Sequence, residues 1–402
     1  MNDAAVSADC FIVFSDDWGE HPSSCQHLFR QLLARHRVIW VNTIGMRSPR
    51  PNLADFKKVV RKVAKMFGRR APATRSIAQP HPRVCQPFML PFNSIAAVRR
   101  FNRYSVVRQV RRIVREMNLS HPVVVSTVPN ACDYVDCFDA ARVVYYCVDD
   151  FSQWPGLEHQ LVREMEGSLI AKADLIIATS SNLFDRLSAG GRKVHLVSHG
   201  VDIALFSQQA TAPHACLRDI PAPRAGYFGL FDERSDQDLI TAVARSLPEV
   251  SFVITGPVAT DTAKLRACAN VRFTGPLPYH ELPALIRGLD VLFIPYVVDG
   301  FTASISPLKL KEYLVTGKPV VVTPIAEARL RPQFLQLAAS PEEWVHALRA
   351  ALAPVAASRH LEVLTAMAGE SWEHKAREFE RLCLSPRTRA NGLARTPTQG
   401  RA

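Results

Sequence analysis

Twice along this 402-residue chain, short runs rich in Val, Ile, Tyr and Phe alternate with longer segments of helical periodicity. That alternation constrains the fold more than any other feature, because it builds parallel sheets whose helical crossovers cover both faces. In the first half the expected strands are Cys10 to Phe14, Val38 to Val41, Val123 to Val128, Val143 to Val148, Leu175 to Thr179 and Val194 to Ser198, with helical segments at Gln26 to Arg35 and Leu157 to Ala173. A loop rich in Gln, Ala and Pro, residues 206–224, lowers the periodicity, and the same grammar restarts after it. Strands are then expected at 225–230, 251–255, 271–274, 291–295 and 319–323, and helices near 236–246, 281–289 and 307–315. The chain reads as α/β, with two doubly wound Rossmann-like domains, 1–205 and 225–360, joined by the 206–224 linker. A closing helix at 361–384 and a disordered basic tail at 385–402 complete the organisation. Folds of this kind bind ligands at the carboxyl ends of their strands, here a cleft between the domains.

Several function classes drop out. No apolar run approaches the roughly 18 to 20 residues of a membrane span; the longest, Leu289 to Val298, is interrupted by Asp290 and Pro295. The apolar stretch Cys10 to Phe14 lacks a basic flank and runs into Asp16 and Asp17, unlike a secretory leader, so a cytoplasmic location is expected. Nine cysteines without a C-x-x-C pair read as reduced, buried hydrophobes, and no metal site is expected. Neither domain carries G-x-G-x-x-G after its first strand, and no G-x-x-x-x-G-K-[ST] occurs, which removes support for a dehydrogenase or a P-loop enzyme.

The net charge of +12 is unevenly placed: residues 1–200 hold 27 Lys and Arg against 17 Asp and Glu, whereas residues 201–384 hold 18 against 20. Two basic segments stand out, 57–70 and 99–115, each interleaving cations with apolar residues at helical spacing. One reading is a pair of solvated helices packed on a core. The other is adsorption to anionic lipid headgroups, where each Lys or Arg near the surface contributes about 1 kcal/mol. A nucleic-acid groove would interleave aromatics for base stacking, which these segments offer little of, so no nucleic-acid partner is expected.

The most informative stretch is Ser304 to Thr323. It reads as a loop, a helix with Ser306 as N-cap and Pro307 at its first position, a Gly317 C-cap and a buried strand. The helix N-terminus suits a phosphate, Lys309 adds a cation, and Glu312 one turn on could accept hydrogen bonds from a diol. An ordinary capped helix with a solvated Lys and Glu is the plain alternative. The block P-L-K-L-K-E-Y-L-V-T-G-K-P-V-V, Pro307 to Val321, resembles the GT-B glycosyltransferases of the glycosyl transferases group 1 type, particularly bacterial polysaccharide and teichuronic acid members, with Lys311 and Val315-Thr316 at variable positions. Further anchors are Trp18, Pro22 and Gln26-His27-Leu28, Tyr146 to Asp150, Ser198 to Asp202, Tyr227-Phe228-Gly229 with Asp232-Glu233-Arg234, and Gly275-Pro276-Leu277 before Pro278-Tyr279.

The resemblance implies a GT-B fold and a hexosyltransferase that moves a sugar from a nucleotide-sugar donor to a growing, lipid-linked glycan. It implies no cofactor: Arg234 and Lys309, with the helix N-terminus at Ser306, would meet the diphosphate in place of a metal. Glu312 would hold the ribose hydroxyls and the Gly275 to Tyr279 loop, with Gly275 and Leu277, the base. Arg234 has the alternative of a salt bridge with Asp232 or Asp236. Retaining members often carry a second Glu eight positions before the ribose-binding one; Ser304 stands there, which leaves the stereochemistry open. If the reaction inverts, Asp149 and Asp150 are the candidate general bases, with Asp149 favoured because adjacent carboxylates at a strand end diverge. His199 is expected to position the interdomain turn. A nucleotide-sugar 2-epimerase and a catalytically inactive polysaccharide-assembly protein are the other functions this fold admits.

Overall fold

A computed structural model describes residues 8, 10–19, 23–44, 46, 80–154, 156–208, 210–303, 305–353 and 357–386. The basic segment 57–70, Ser304 and tail residues 387–402 lie outside them. The first domain is a seven-stranded sheet of β1 (Cys10–Ser15), β2 (Arg37–Asn42), β3 (Arg83–Cys85), β4 (Val123–Ser126), β5 (Arg142–Cys147), β6 (Leu175–Ala178) and β7 (Val194–Leu196), in the order β3-β2-β1-β4-β5-β6-β7. The second has six strands, β8 (Arg224–Phe228), β9 (Ser251–Thr255), β10 (Val271–Gly275), β11 (Val291–Ile294), β12 (Val320–Val322) and β13 (Gln336–Leu337), in the order β10-β9-β8-β11-β12-β13. Every pairing in both sheets is parallel. The expected strands are all present. The two additions, β3 and β13, are edge strands of three and two residues, too short for a periodic signal.

Helices cover both faces of the first sheet. On one side Ala96–Glu116, His159–Lys172 and Ser181–Ser188 bury Val106, Val110, Met165, Leu169, Leu183 and Leu187 against Ile12, Val124 and Tyr145. The Ala96–Glu116 helix inserts Asn102, Val106, Val110 and Ile113, and leaves Phe101 and Tyr104 exposed, so Phe101 is not part of its packed face. Its arginines divide. Arg99 pairs with Asp133 at 2.6 Å, and Arg112 with Glu116 at 2.7 Å. Arg103 and Arg111 donate to Cys137, whereas Arg100, Arg108 and Arg115 are exposed beside the two outward aromatics.

The opposite face holds a correction to the expected single closing helix. The 361–384 region forms two helices, Ala357–Met367 and Trp372–Leu384, separated by a short turn at Ala368–Glu370, with Ser371 capping the second through His374 N–H. The first packs on the second domain, His360 donating to the Val315 carbonyl at 3.2 Å. The second crosses back and completes the first domain: Phe379 meets Phe29 and Tyr146 edge-on, at 5.8 and 5.3 Å between ring centroids, and Ala376, Leu382 and Cys383 join the same core. Arg142, buried at the start of β5, donates to the carbonyls of Leu382 (2.7 Å) and Cys383 (3.0 Å) and satisfies the helix end.

The chain therefore crosses between domains twice, and the crossings lie side by side. Val201 N–H donates to the Glu370 carbonyl at 2.8 Å and Trp372 N–H to the Val201 carbonyl at 3.3 Å. Gly200 fits only because it lacks a Cβ, which would sit 2.8 Å from the Trp372 Cα. The 206–224 segment is no free linker, since Phe206, Leu217 and Ile220 are buried in the second domain's core.

Candidate active site

In the second domain the cleft floor is built by neighbouring strand ends. Gly229 after β8 and Gly256 after β9 have φ of +118° and +139°, and a Cβ on Gly256 would lie 2.1 Å from the Gly229 carbonyl oxygen. A Cβ on Gly229 would in turn lie 3.2 Å from Lys309 Nζ. Bare backbone here lets Lys309, from the first turn of helix Leu308–Val315, lie over the Tyr227 ring at 3.9 Å and donate to the Tyr227 hydroxyl and the Leu230 carbonyl. Burial and then the Arg234 charge lower its pKa to about 7. Ser306 is not the cap of this helix. Pro307 occupies that position, no side chain closes the end, and Ser306 is buried. The first amides are left without a side-chain acceptor, a favourable place for an anion.

Arg234 follows β8 and binds Asp232 through Nε (2.8 and 3.0 Å) and Nη2 (2.6 Å), with its guanidinium 5.8 Å above the Tyr296 ring. Asp236 is not its partner; it caps helix Gln237–Ser246 through Leu239 N–H at 2.9 Å. Glu312, on the Lys309 helix, accepts from the Tyr279 hydroxyl at 3.3 Å. Burial raises its pKa to about 7, against the opposing pull of Lys309 and Tyr279. Gly275 ends β10 with φ +78°, and its carbonyl accepts from Gly256 N–H at 2.9 Å. The Leu277 side chain is half-buried and packs on the domain core.

From the first domain, Asp149 follows β5 and accepts from Asp150 N–H at 2.8 Å. Burial raises its pKa to about 6, while that amide and the Arg234 guanidinium of the other domain pull it down. The cleft thus brings Asp149 within electrostatic reach of Arg234, the neighbour of Lys309 on the Tyr296 ring. Asp150 is different: it is buried, accepts from Ser152 N–H (3.0 Å) and Oγ (2.6 Å), and lies 3.5 Å from Arg186 Nε. It shapes the turn Phe151–Gln153 rather than the cleft. His199 is buried and its pKa is lowered to about 3 by burial and the Lys311 charge, so it is neutral at working pH.

Four side chains take roles that the sequence did not assign. Lys311, two positions from Lys309, points the opposite way. It is buried, pairs with Glu370 and donates to Ser198 Oγ at 3.0 Å and to the His199 carbonyl, tying the helix to both crossings. The Tyr279 ring spans the domains, 5.7 Å from the His27 ring, which itself stacks on Trp372 at 4.9 Å. Tyr227 and Tyr296 form the aromatic wall of the Lys309 and Arg234 site. Tyr227 and Tyr279 stand in motifs that carry the resemblance and Lys311 at a variable position of the Pro307 to Val321 block, whereas Tyr296 had no signal.

Two doubly wound parallel sheets with a cleft between them define the GT-B class, and solved structures share it across nearly the whole chain. Sucrose-phosphate synthase from Thermosynechococcus elongatus aligns with a TM-score of 0.67 at 16% identity, covering 93% of this chain and 98% of that one. The Anabaena protein HepE, in complex with UDP and glucose, aligns with a TM-score of 0.62 at 14% identity, with 93% and 98% covered. In sequence, residues 222–368 match the family described as glycosyl transferases group 1, so the chain carries a domain of that family. TuaH of Bacillus subtilis (strain 168), named as a teichuronic acid biosynthesis glycosyltransferase, is 32% identical over 173 residues, 41% of this chain and 44% of TuaH. The match thus spans less than half the length of that relative.

Proposed function

We propose that this chain is a glycosyltransferase that moves a sugar from a nucleotide donor to a growing, lipid-linked glycan in cell-surface or exopolysaccharide synthesis, without a metal. The observation that carries the reading is that Asp149 of the first domain feels the charge of Arg234 of the second, which shares the Tyr296 ring with Lys309. In an inverting transfer the acceptor hydroxyl attacks the anomeric carbon while Asp149 takes its proton, and the bond to the diphosphate breaks as Arg234 and Lys309 meet the charge that develops there. Glu312 would bind the ribose hydroxyls in place of Tyr279, and the backbone of the Gly275 to Tyr279 loop would face the base. UDP-sugars are the first donors to try, because HepE is described with UDP and glucose and a trehalose-6-phosphate enzyme of E. coli with UDP-2-fluoro glucose. The TuaH name supports a polysaccharide acceptor.

A peripheral site on the inner membrane face accords with the outward side of helix Ala96–Glu116, where Phe101 and Tyr104 stand among Arg100, Arg108 and Arg115. No described helix is long and apolar enough to cross a membrane. A thermal-shift screen over UDP-, GDP- and dTDP-sugars, with and without a chelator, tests the central claim. A ligand at 100 times its Kd stabilises by about 2.7 kcal/mol. Stabilisation by one nucleotide class, followed by chelator-resistant transfer or hydrolysis of that donor, is expected; a strict Mg²⁺ or Mn²⁺ requirement overturns the account of the leaving group. Sedimentation with phosphatidylglycerol vesicles at low salt, and release at high salt, checks the membrane reading.

A further inference from the structure

Next to Asp149 lies an ionic cluster built on two buried carboxylates, its partners all from the first domain. Glu166, from helix His159–Lys172, is 5% exposed, yet three donors converge on it: the Tyr145 hydroxyl at 2.7 Å, Arg186 Nη1 at 2.7 Å and Arg186 Nη2 at 2.9 Å. The remaining edge of the Arg186 guanidinium faces Asp150, with Nε 3.5 Å from Oδ2 and no hydrogen-bond partner of its own. A single cation therefore stands between two buried carboxylates from different elements. Asp150 is fixed to Ser152 on its other oxygen, and the Cys147 thiol, 3.3 Å from the Tyr145 hydroxyl, lies 3.5 Å from the Asp149 carbonyl. Asp149 is thus held on both sides, through its own carbonyl and through the residue after it.

We infer that Arg186, clasped by Glu166, is a positioning residue that aims Asp149 across the cleft; the inference rests on the reading of Asp149 as the general base. Without the guanidinium, Asp150 and Glu166, both buried, lose the one cation that pairs with each of them. The Phe151–Gln153 turn then loses its anchor, and the preceding carboxylate is no longer held in line with the acceptor. The hydrogen bonds and ion pairs that build the cluster lie within the first domain, so donor binding in the second should be indifferent to it.

The test compares Arg186→Gln, the paired Arg186→Gln/Glu166→Gln, and each of these on an Asp149→Asn background. The pair leaves no unpartnered buried charge at Glu166, so it folds where the single change does not. The expected result is turnover reduced about 10- to 100-fold with the donor Kd changed less than about twofold. The acid limb of the kcat profile should also move upward in Arg186→Gln, since Asp150 then repels the Asp149 charge without a partner. On the Asp149→Asn background the same changes should cost less than about twofold, the non-additivity expected of groups acting through one another. Equal losses on both backgrounds, or a loss confined to donor affinity, overturn the positioning role while leaving the base assignment standing. Near-normal turnover of Asp149→Asn alone overturns the base assignment instead.

Discussion

The two sheets have the same strand order up to the extra β7, but they hold their cleft residues by different means. In the second domain the groups sit on short contiguous motifs at successive strand ends: the turn after β8 carries Gly229 and Arg234, and one helical turn carries Lys309 and Glu312. Their backbone follows from local features, glycines that admit no Cβ and a helix start without a side-chain cap, and Tyr227 and Tyr279 from other strand ends steady Lys309 and Glu312. In the first domain Asp149 depends on residues of two later helices, Glu166 and Arg186, and the sheet behind it is finished by the last helix. A site of the first kind survives changes elsewhere in its domain. A site of the second kind is sensitive to substitutions that never approach a ligand.

Predictions that strain this contrast fall in order of size. Asp149→Asn keeps volume and hydrogen bonding but removes basicity, and turnover should fall by about 10² to 10⁴ with donor affinity and Tm unchanged. Arg234→Ala or Lys309→Ala should lower kcat by about 10² to 10³ with a smaller effect on donor Kd, because both meet charge that grows as the bond breaks. Single-turnover rates beside equilibrium binding separate the two effects. Arg234→Ala should also shift the acid limb of the residual activity: Asp149 must be ionised to act, its pKa stands at about 6 and the Arg234 charge holds it down, so loss of that charge moves the limb upward.

Glu312→Ala should weaken donor binding by the loss of a charged hydrogen bond, about 1.5 to 3 kcal/mol, with turnover at saturation nearly intact. The smallest effect is the pH dependence of donor affinity. Glu312 must be ionised to accept from the ribose, and Lys309 must be protonated to meet the diphosphate. Both have pKa values near 7 in the free protein, so calorimetric affinity should peak near pH 7 and decline on each side. Glu312→Gln should flatten the acid side only; an affinity that is level from pH 6 to 8 contradicts these two roles.

The strands were legible because each is a run of apolar β-formers bounded by polar segments, and the Lys309 helix because Pro, Gly and the flanking strand punctuate it. The capping of that helix was misread: Ser306 has the right chemistry for a cap but is turned into the core, and Pro307 takes its place. Asp149 and Asp150 have the same chemistry in sequence, and the neighbouring Ser152 and the distant Arg186 distinguish them in the fold. The 361–384 helix was drawn as one because its periodicity survives the break at Ala368–Glu370. In the 99–115 segment the helical spacing does not say which apolar residues pack, and the face that does is set by Val106, Val110 and Ile113.

The return of Trp372–Leu384 to the first domain has a consequence for the order in which the molecule can be made. Synthesis runs from the N-terminus, and domains generally fold as units while the chain emerges. When residue 205 has left the ribosome all seven strands of the first sheet exist, but the side chains that meet Phe379, Phe29 and Tyr146 among them, still face water. That surface stays open until residue 384 has been added, by which time the whole second sheet has been synthesised. The domain translated first is therefore completed last, and a nascent chain stalled between the two crossings presents an apolar face to chaperones that the finished protein never shows.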